Sequence, residues 1–157
     1  MHNWVSEDEI DWFEFQRVGK RGLTPTRTVT DHDVLAFAGL TGDMAELHTS
    51  DSYAAKTEFG GRIAHGMYNL ALAHGLIVRA GHLVTAGIAL LGWNNIKFSA
   101  PLRIGDTVQA EWETIVVRES ASHPQAGIVV DRVTLRKEDG TIVLTGEVAE
   151  LVRKRPA

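Results

Sequence analysis

Asp43 and His48 stand five positions apart in a segment rich in turn-forming residues, 39–67. A carboxylate and an imidazole that face one water molecule can divide acid and base work, because histidine titrates near neutral pH and a carboxylate can orient it. Gly66 stands at the start of an apolar helical run, where free backbone N–H groups and the helix dipole favour a negative oxygen. Glycine also lets a ligand approach the backbone closely. These residues predict proton transfer at a water molecule, beside a backbone donor that holds a carbonyl oxygen.

Each of these residues also has a purely structural interpretation. Asp43 follows Gly42, so it can simply close an Asx turn. A lone histidine such as His48 is more often a hydrogen-bonded structural residue than a catalytic one. We expect His65 to orient the turn at Gly66 more than to react directly. Residue type and spacing leave both interpretations open.

Composition excludes several classes of protein. The chain has 157 residues, of which 44% are hydrophobic and 23% charged, as in a single globular domain. Its net charge of -4 disfavours nucleic acid or an acidic membrane as the main partner. The absence of cysteine excludes disulfides, thiolate metal sites and a cysteine nucleophile. With no secretion-signal pattern and no apolar run of about 20 residues, we expect a soluble cytoplasmic protein.

The candidate residues are expected in a connection between helices. Apolar spacing predicts a helix over 33–40, and a short helix over 52–56 follows a capping serine or aspartate. The intervening residues 43–49 are predicted to form a loop or irregular turn. Asp43 and His48 would then be held on a connection that is fixed at both ends, which is a common location for chemistry.

The remaining elements predict an α+β domain that extends over 1–157. The helical run 67–80 is apolar on nearly every side, so we expect it to be buried by surrounding structure. Residues 1–22 are expected to be an N-terminal extension whose aromatic side chains pack on the sheet or helix. Alternating apolar residues predict strands over 26–30, 88–98, 107–117, 127–137 and 141–152.

Four segments carry a resemblance to a known family. They read RTVTDHDVLAFAGLTGD at 27–43, LHTSDSYAAKT at 47–57, GGRIAHGM at 60–67 and KFSAPLRIGDTV at 97–108. In these segments the chain resembles the MaoC-like dehydratase family, which includes the (R)-specific enoyl-CoA hydratases. The resemblance implies the hot-dog fold, in which a curved antiparallel sheet wraps around one long central helix.

The resemblance also implies a function and a set of site residues. It implies a hydratase or dehydratase of enoyl-CoA-type thioesters, with Asp43 and His48 as the acid/base pair. Gly66 and His65 would form the oxyanion and substrate-binding site, with the Gly66 N–H as the oxyanion donor. It further implies a homodimer or higher homo-oligomer, with no cofactor. We expect no metal site, because the scattered histidines lack the spacing of a helical zinc motif.

The sequence departs from the family pattern between the two candidate catalytic residues. Ala45 and Glu46 stand where asparagine and proline are common in the family. Two alternatives therefore stay open beside the hydratase. One is an acyl-CoA thioesterase on the same fold, and the other is a non-catalytic acyl-binding partner subunit.

Overall fold

The structure, a computed structural model, describes residues 10–156. Two short strands and three helices come first, followed by the longest helix and four long strands. The helices are α1 (Asp31–Thr41), α2 (Glu46–Thr49), α3 (Asp51–Ala54) and α4 (Gly66–Arg79). The strands are β1 (Arg21–Leu23), β2 (Arg27–Thr28), β3 (Gly87–Phe98), β4 (Thr107–Glu119), β5 (Ala126–Lys137) and β6 (Ile142–Arg153).

All strands belong to one six-stranded antiparallel sheet. Its order is β1-β4-β5-β6-β3, and β2 also pairs with β4. Helix α4 packs against β4, β5 and β6 on one face of this sheet. This arrangement of a sheet around one long helix is the hot-dog fold, so the expected fold class is confirmed.

The four long strands were predicted to within two residues at each end. Their alternation arises because successive side chains point to opposite faces of the sheet. In β4, for example, Val108, Ala110 and Trp112 are buried in the core beneath α4, and the residues between them are more exposed. The predicted turn between β5 and β6 contains Gly140 at a φ of 88°, a conformation that glycine adopts without steric cost.

Two predictions about the first strands need correction. The strand expected over 26–30 is only two residues long, because the segment opposite Val29 turns: the Asp106 N–H donates to the carbonyl of Arg103, and the Val29 N–H donates to the carbonyl of Asp106. The three-residue strand β1 was not predicted at all. It contains Gly22 and is too short to show an alternating pattern.

The expectation that surrounding structure buries α4 holds for only one side of the helix. Its sheet-facing side is buried, but Met67, Ala71, Gly75 and Val78 are exposed. A single sheet covers only one side of a helix, so the opposite apolar side has no cover within the described chain. No helix among residues 10–156 is both long enough and apolar enough to span a membrane.

The segment before β1 contributes aromatic side chains to a second, smaller core. Trp12 and Phe13 are buried there with Leu83, Val129 and Val152. Residues 1–9 of the expected extension lie outside the described residues. This smaller core closes the end of the sheet beyond the C-terminus of α4.

Candidate active site

Helix α1 positions Asp43, which follows the end of the helix. The helix begins with a capping box, in which Thr30 and Asp33 each accept a hydrogen bond from the other's backbone N–H. It ends at Gly42, whose φ of 79° is left-handed and stops the helix. Asp43 is therefore the first residue beyond a well-defined helix end.

The carboxylate of Asp43 is exposed and accepts one long hydrogen bond. Its Oδ1 accepts a hydrogen bond from the N–H of Ala45 at 3.4 Å. This is the Asx-type contact that the structural interpretation expects, but it is long for a hydrogen bond. Since each carboxylate oxygen has two lone pairs, the group retains ample capacity to bind water.

His48 lies on the short helix α2 and not in a loop as predicted. Its Nδ1 lies 2.7 Å from the carbonyl oxygen of Ile63. A carbonyl can only accept, so Nδ1 carries the proton and donates it. In the neutral imidazole, Nε2 is then the unprotonated nitrogen, which is the form a general base requires.

His65 connects the two candidate residues. Its Nε2 lies 3.0 Å from the backbone oxygen of Asp43 and must therefore donate to it. Its ring stacks on that of His48, with the centroids 3.8 Å apart and the planes tilted by 31°. Side-chain ligand atoms of Asp43, His48 and His65 all lie within 4.8 Å of one another. We call these three residues the Asp43/His48/His65 cluster.

The chain segment that leads into His65 is fixed to its surroundings. The N–H of Ala64 donates to the carbonyl of Leu102 at 2.7 Å. Next to this hydrogen bond, Ile63 and Arg103 form an isolated antiparallel β-bridge. The Arg62 guanidinium binds Asp31 at 2.7 Å and Asp51 at 2.6 Å. These contacts hold the first turns of α1 and α3 against the segment that supplies the Ile63 carbonyl and His65.

Gly66 is the first residue of α4, as the sequence indicated. The preceding His65 is the N-cap, with φ −61° and ψ 143°, and its side chain makes no capping hydrogen bond. The first N–H groups of a helix have no partner within the helix. The N-terminus of α4 therefore has no side-chain cap and can donate to a ligand oxygen that lies next to the cluster.

The cluster could also be considered as a metal site, because carboxylate and imidazole are common ligands. Two of the four imidazole nitrogens already donate to backbone carbonyls. The remaining nitrogen of His65, Nδ1, is fully buried. Only Asp43 and the Nε2 of His48 are then available without rearrangement, which is fewer than the three protein ligands of most catalytic zinc sites. The expectation of no metal stays a prediction.

An apolar groove beside the cluster was not predicted from the sequence. It is a cavity of about 380 Å³ between α1 and α4, and its walls include Phe37 and Tyr68. The ring of Phe37 lies 5.1 Å from that of His65 and 5.8 Å from that of Tyr68. Nothing in the local pattern marks these aromatic residues, because their proximity depends on how the two helices cross.

His74 lies in the middle of α4, and its Nδ1 is buried without a hydrogen-bond partner in the described part of the chain. It is half-buried, and its ring meets the ring of Trp93 edge-on with the centroids 6.2 Å apart. Burial lowers the pKa of His74, so the neutral form is favoured.

Comparison with known proteins identifies the family. A model described as "MaoC like domain" matches residues 14–135. The chain is 33% identical over 153 residues to a protein of Rhodospirillum rubrum named (R)-specific enoyl-CoA hydratase, covering 96% of this chain and 99% of that protein. It is 40% identical over 109 residues to Protein MaoC of Klebsiella aerogenes, a match that covers 67% of this chain but 32% of that longer protein. A solved structure described as a MaoC-like dehydratase from Rhodospirillum rubrum superposes with a TM-score of 0.83 at 27% identity, covering 93% of this chain and 99% of that one.

Proposed function

Because the chain belongs to the MaoC-like domain family, we propose that it is a hydratase or dehydratase, a lyase that acts on enoyl-CoA-type thioesters. The near full-length similarity to a relative named (R)-specific enoyl-CoA hydratase supports this reaction class. The observation that carries the proposal is the convergence of Asp43, His48 and the N-terminus of α4 at one place. These groups come from three separate elements.

The cluster supplies groups suited to each part of the reaction. In hydration, oxygen from water bonds to C3 of the 2-enoyl thioester, and a proton is added to C2. The Nε2 of His48 and the carboxylate of Asp43 are the groups that we propose to bind the water, accept its proton and return a proton to carbon.

The third requirement is stabilisation of negative charge on the thioester oxygen. We assign this to the Gly66 N–H, aided by the dipole of α4. A preorganised donor of this kind typically contributes about 3–4 kcal/mol in the transition state. Because the thioester already activates the double bond, the scheme requires no cofactor.

The decisive experiment measures loss of the enoyl-thioester absorbance with crotonyl-CoA and a longer 2-enoyl-CoA. Wild type should turn over, and Asp43→Asn and His48→Ala should each lose about 10²- to 10⁴-fold in kcat with the fold intact. Asp139→Asn and His123→Ala, at exposed positions in other turns, serve as matched controls. Unchanged turnover in both site variants would show that Asp43 and His48 do not take part in the reaction.

The same assay separates the alternatives. Release of free thiol from a saturated acyl-CoA would identify a thioesterase, whereas acyl-CoA binding without any turnover would identify a non-catalytic binding subunit. Turnover that survives EDTA would support chemistry without a metal. The cytoplasmic location expected from the sequence stays a prediction.

We also propose that the functional unit is a homodimer or higher homo-oligomer. Among the described residues, β3 pairs only with β6, so its other edge is free. Ile88, Leu90 and Leu91 are about half exposed on this strand. A long edge strand with exposed apolar residues readily pairs with another chain. A second copy could also cover the exposed apolar side of α4.

A further inference from the structure

Phe98, the last residue of β3, lies against the first residue of α4. A Cβ built on Gly66 would lie between 3.5 and 3.6 Å from three carbon atoms of the Phe98 ring. The ring is therefore in van der Waals contact with the beginning of α4. Because Phe98 is also 50% exposed, one part of its ring covers Gly66 and another part faces outward.

A regular strand could not place Phe98 on this side of the sheet. Trp93 lies directly opposite Val148 of β6, so both side chains point to the face on which α4 packs, where Val148 is buried. Because successive side chains alternate, a regular strand would turn Lys97 toward that face and Phe98 away from it. Phe98 instead lies opposite Leu144, which is buried in the same core as Val148.

A β-bulge in β3 produces this placement. Between residues 94 and 97 the register advances by three residues on β3 but by only two on β6. Such a bulge re-aims the side chains that follow it. Asn95, within the bulge, has a φ of 52°, a left-handed conformation that asparagine tolerates better than most residues. Its Nδ2 donates to Oε2 of Glu147 at 2.8 Å, which ties the bulge to β6.

The contact with Phe98 matters because the Gly66 N–H is the proposed oxyanion donor. Side chains project outward from a helix, whereas the first N–H groups point along its axis. The Phe98 ring lies where a side chain at Gly66 would project, so it flanks the N–H without blocking it. An apolar ring at this position keeps water from the donor. A hydrogen bond to developing negative charge is stronger where water is excluded, because the effective dielectric constant is lower.

We propose that Phe98 is a positioning residue that shields the Gly66 N–H from water, and that the bulge at Asn95 holds Phe98 in place. The proposal rests on the proposed function for the nature of the oxygen that this N–H binds. Phe98 acts through the donor and transfers no proton. It should therefore affect kcat more than KM, because the charge on the thioester oxygen is largest in the transition state.

Kinetics with crotonyl-CoA test the shield. Phe98→Ala should lower kcat about tenfold with KM little changed, because water then reaches the Gly66 N–H. Phe98→Leu retains an apolar cover and should recover most of the loss. Phe15→Ala removes a phenylalanine that is 47% exposed outside the site, so it is the matched control and should turn over like wild type. Circular dichroism and thermal melting should show an intact fold in each variant.

Infrared spectroscopy of a bound saturated thioester measures the hydrogen bond itself. Butyryl-CoA with an isotopic label at its carbonyl carbon cannot be hydrated, and its carbonyl stretch moves to lower frequency as the hydrogen bond to the oxygen strengthens. In complex with the wild type, the stretch should lie below its frequency in water. Phe98→Ala should move it toward the frequency in water, whereas Phe98→Leu should leave it near that of the wild type.

Variants of Asn95 test the bulge. Valine is β-branched and adopts a left-handed φ only with strain, so Asn95→Val should displace Phe98 and lower kcat as much as Phe98→Ala does. When both substitutions are combined, the two losses should not add, because both act through one ring. Asn95→Gly accepts the left-handed φ and should retain most of the activity. Additive losses in the double variant would show that the bulge does not act through Phe98.

The outcomes separate this proposal from the catalytic one. A carbonyl stretch that depends on Phe98 would support the shield even if no enoyl thioester were hydrated. If Gly66→Pro lowered kcat while Phe98→Ala changed neither kcat nor the stretch, the shield would be overturned and the hydratase would stand. If Phe98→Ala changed the oligomeric state in light scattering and left the stretch unaltered, Phe98 would belong to an interface between copies, and the proposal would also be overturned.

Discussion

The imidazole of His65 stacks on that of His48 and donates a hydrogen bond to the backbone of Asp43, 3.0 Å away. One buried side chain thus contacts both members of the proposed acid/base pair. Because the Nε2 of His65 is occupied by the Asp43 carbonyl and its Nδ1 is buried, His65 has no nitrogen free for substrate. We therefore regard it as a positioning residue.

Substitution of His65 tests this role. His65→Phe preserves a flat ring for stacking but loses the donor to Asp43, so kcat should fall about tenfold with KM for the enoyl thioester little changed. His65→Gln retains a donor and should recover part of the loss. Stability should change little in His65→Phe, because the unpaired buried Nδ1 is removed as well. Steady-state kinetics of both variants measure these changes in kcat and KM. A loss of kcat in His65→Phe as large as that in His48→Ala would contradict a positioning role.

The backbone donor at Gly66 can be removed without disturbing the helix. Gly66→Pro deletes the N–H at the first helical position, where proline is favoured, and the ψ of 143° at His65 suits a residue that precedes proline. We expect kcat to fall about 10²- to 10³-fold. Circular dichroism and thermal melting should show an intact fold.

Gly66→Ala is the matched control for this experiment. It retains the N–H, and its added Cβ would meet the Phe98 ring at 3.5 Å, an ordinary contact. Turnover should stay within a few-fold of wild type. Equal activity of the proline and alanine variants would show that the Gly66 N–H does not stabilise the transition state.

The departure from the family pattern at Ala45 and Glu46 can also be tested by substitution. Ala45 is the N-cap of α2 and provides no side-chain cap, whereas Glu46 is the first residue of that helix. Asparagine is a far better N-cap and proline suits the first position, so Ala45→Asn with Glu46→Pro should stabilise the protein by about 1 kcal/mol. Chemical denaturation measures this gain.

The same double variant addresses the non-catalytic alternative. If the protein is a hydratase as proposed, turnover should be present in wild type and change only modestly. Turnover that appears only in the double variant would indicate that the natural chain is a binding subunit. The single variants distinguish the contribution of the cap from that of the proline.

The sequence revealed long-range architecture better than it revealed the site. Strands such as β4 repeat one alternating pattern over many residues, so their bounds are evident from the chain alone. Helix α2 has four residues and an alanine N-cap, which leaves no pattern to detect. The proton position on His48 depends on the carbonyl of Ile63, fifteen residues away, and a backbone carbonyl has no signature in a sequence. The contact of Phe37 with Tyr68 likewise arises only from helix packing.

Glu150 is predicted to make stability depend on pH. It lies on β6 near a buried network in which Asp131 accepts hydrogen bonds from Thr114 at 2.6 Å and from His82 at 2.8 Å. Burial raises the pKa of Glu150 to about 7, reinforced by the charge of Asp131 and opposed by His82. The folded protein thus retains a proton that the unfolded chain releases near its ordinary pKa of 4.5. Stability should fall as pH rises from about 4.5 through about 7.

Glu150→Gln should remove this dependence. Because the amide cannot ionise, the variant should be more stable than wild type at about pH 8, by at most about 3 kcal/mol, and should differ little at about pH 4. Glu138→Gln, at an exposed position in the β5–β6 turn, controls for the change in net charge. Chemical denaturation at both pH values provides the measurement. If Glu150→Gln changed the stability equally at both pH values, the result would contradict the raised pKa of Glu150.

The free edge of β3 provides a test of the proposed homodimer. Leu90 is 52% exposed on this strand, so Leu90→Lys removes little from the core of one chain. A lysine on an edge strand opposes pairing with a second copy, because its charge would have to be desolvated or placed beside its symmetry mate. We expect the wild type to be a dimer and Leu90→Lys to shift toward monomer in light scattering coupled to size exclusion. Val18→Lys, at an exposed apolar residue outside the sheet, should leave the dimer unchanged. A wild-type protein that is monomeric at micromolar concentration would contradict pairing through β3, and the exposed apolar side of α4 would then require another explanation.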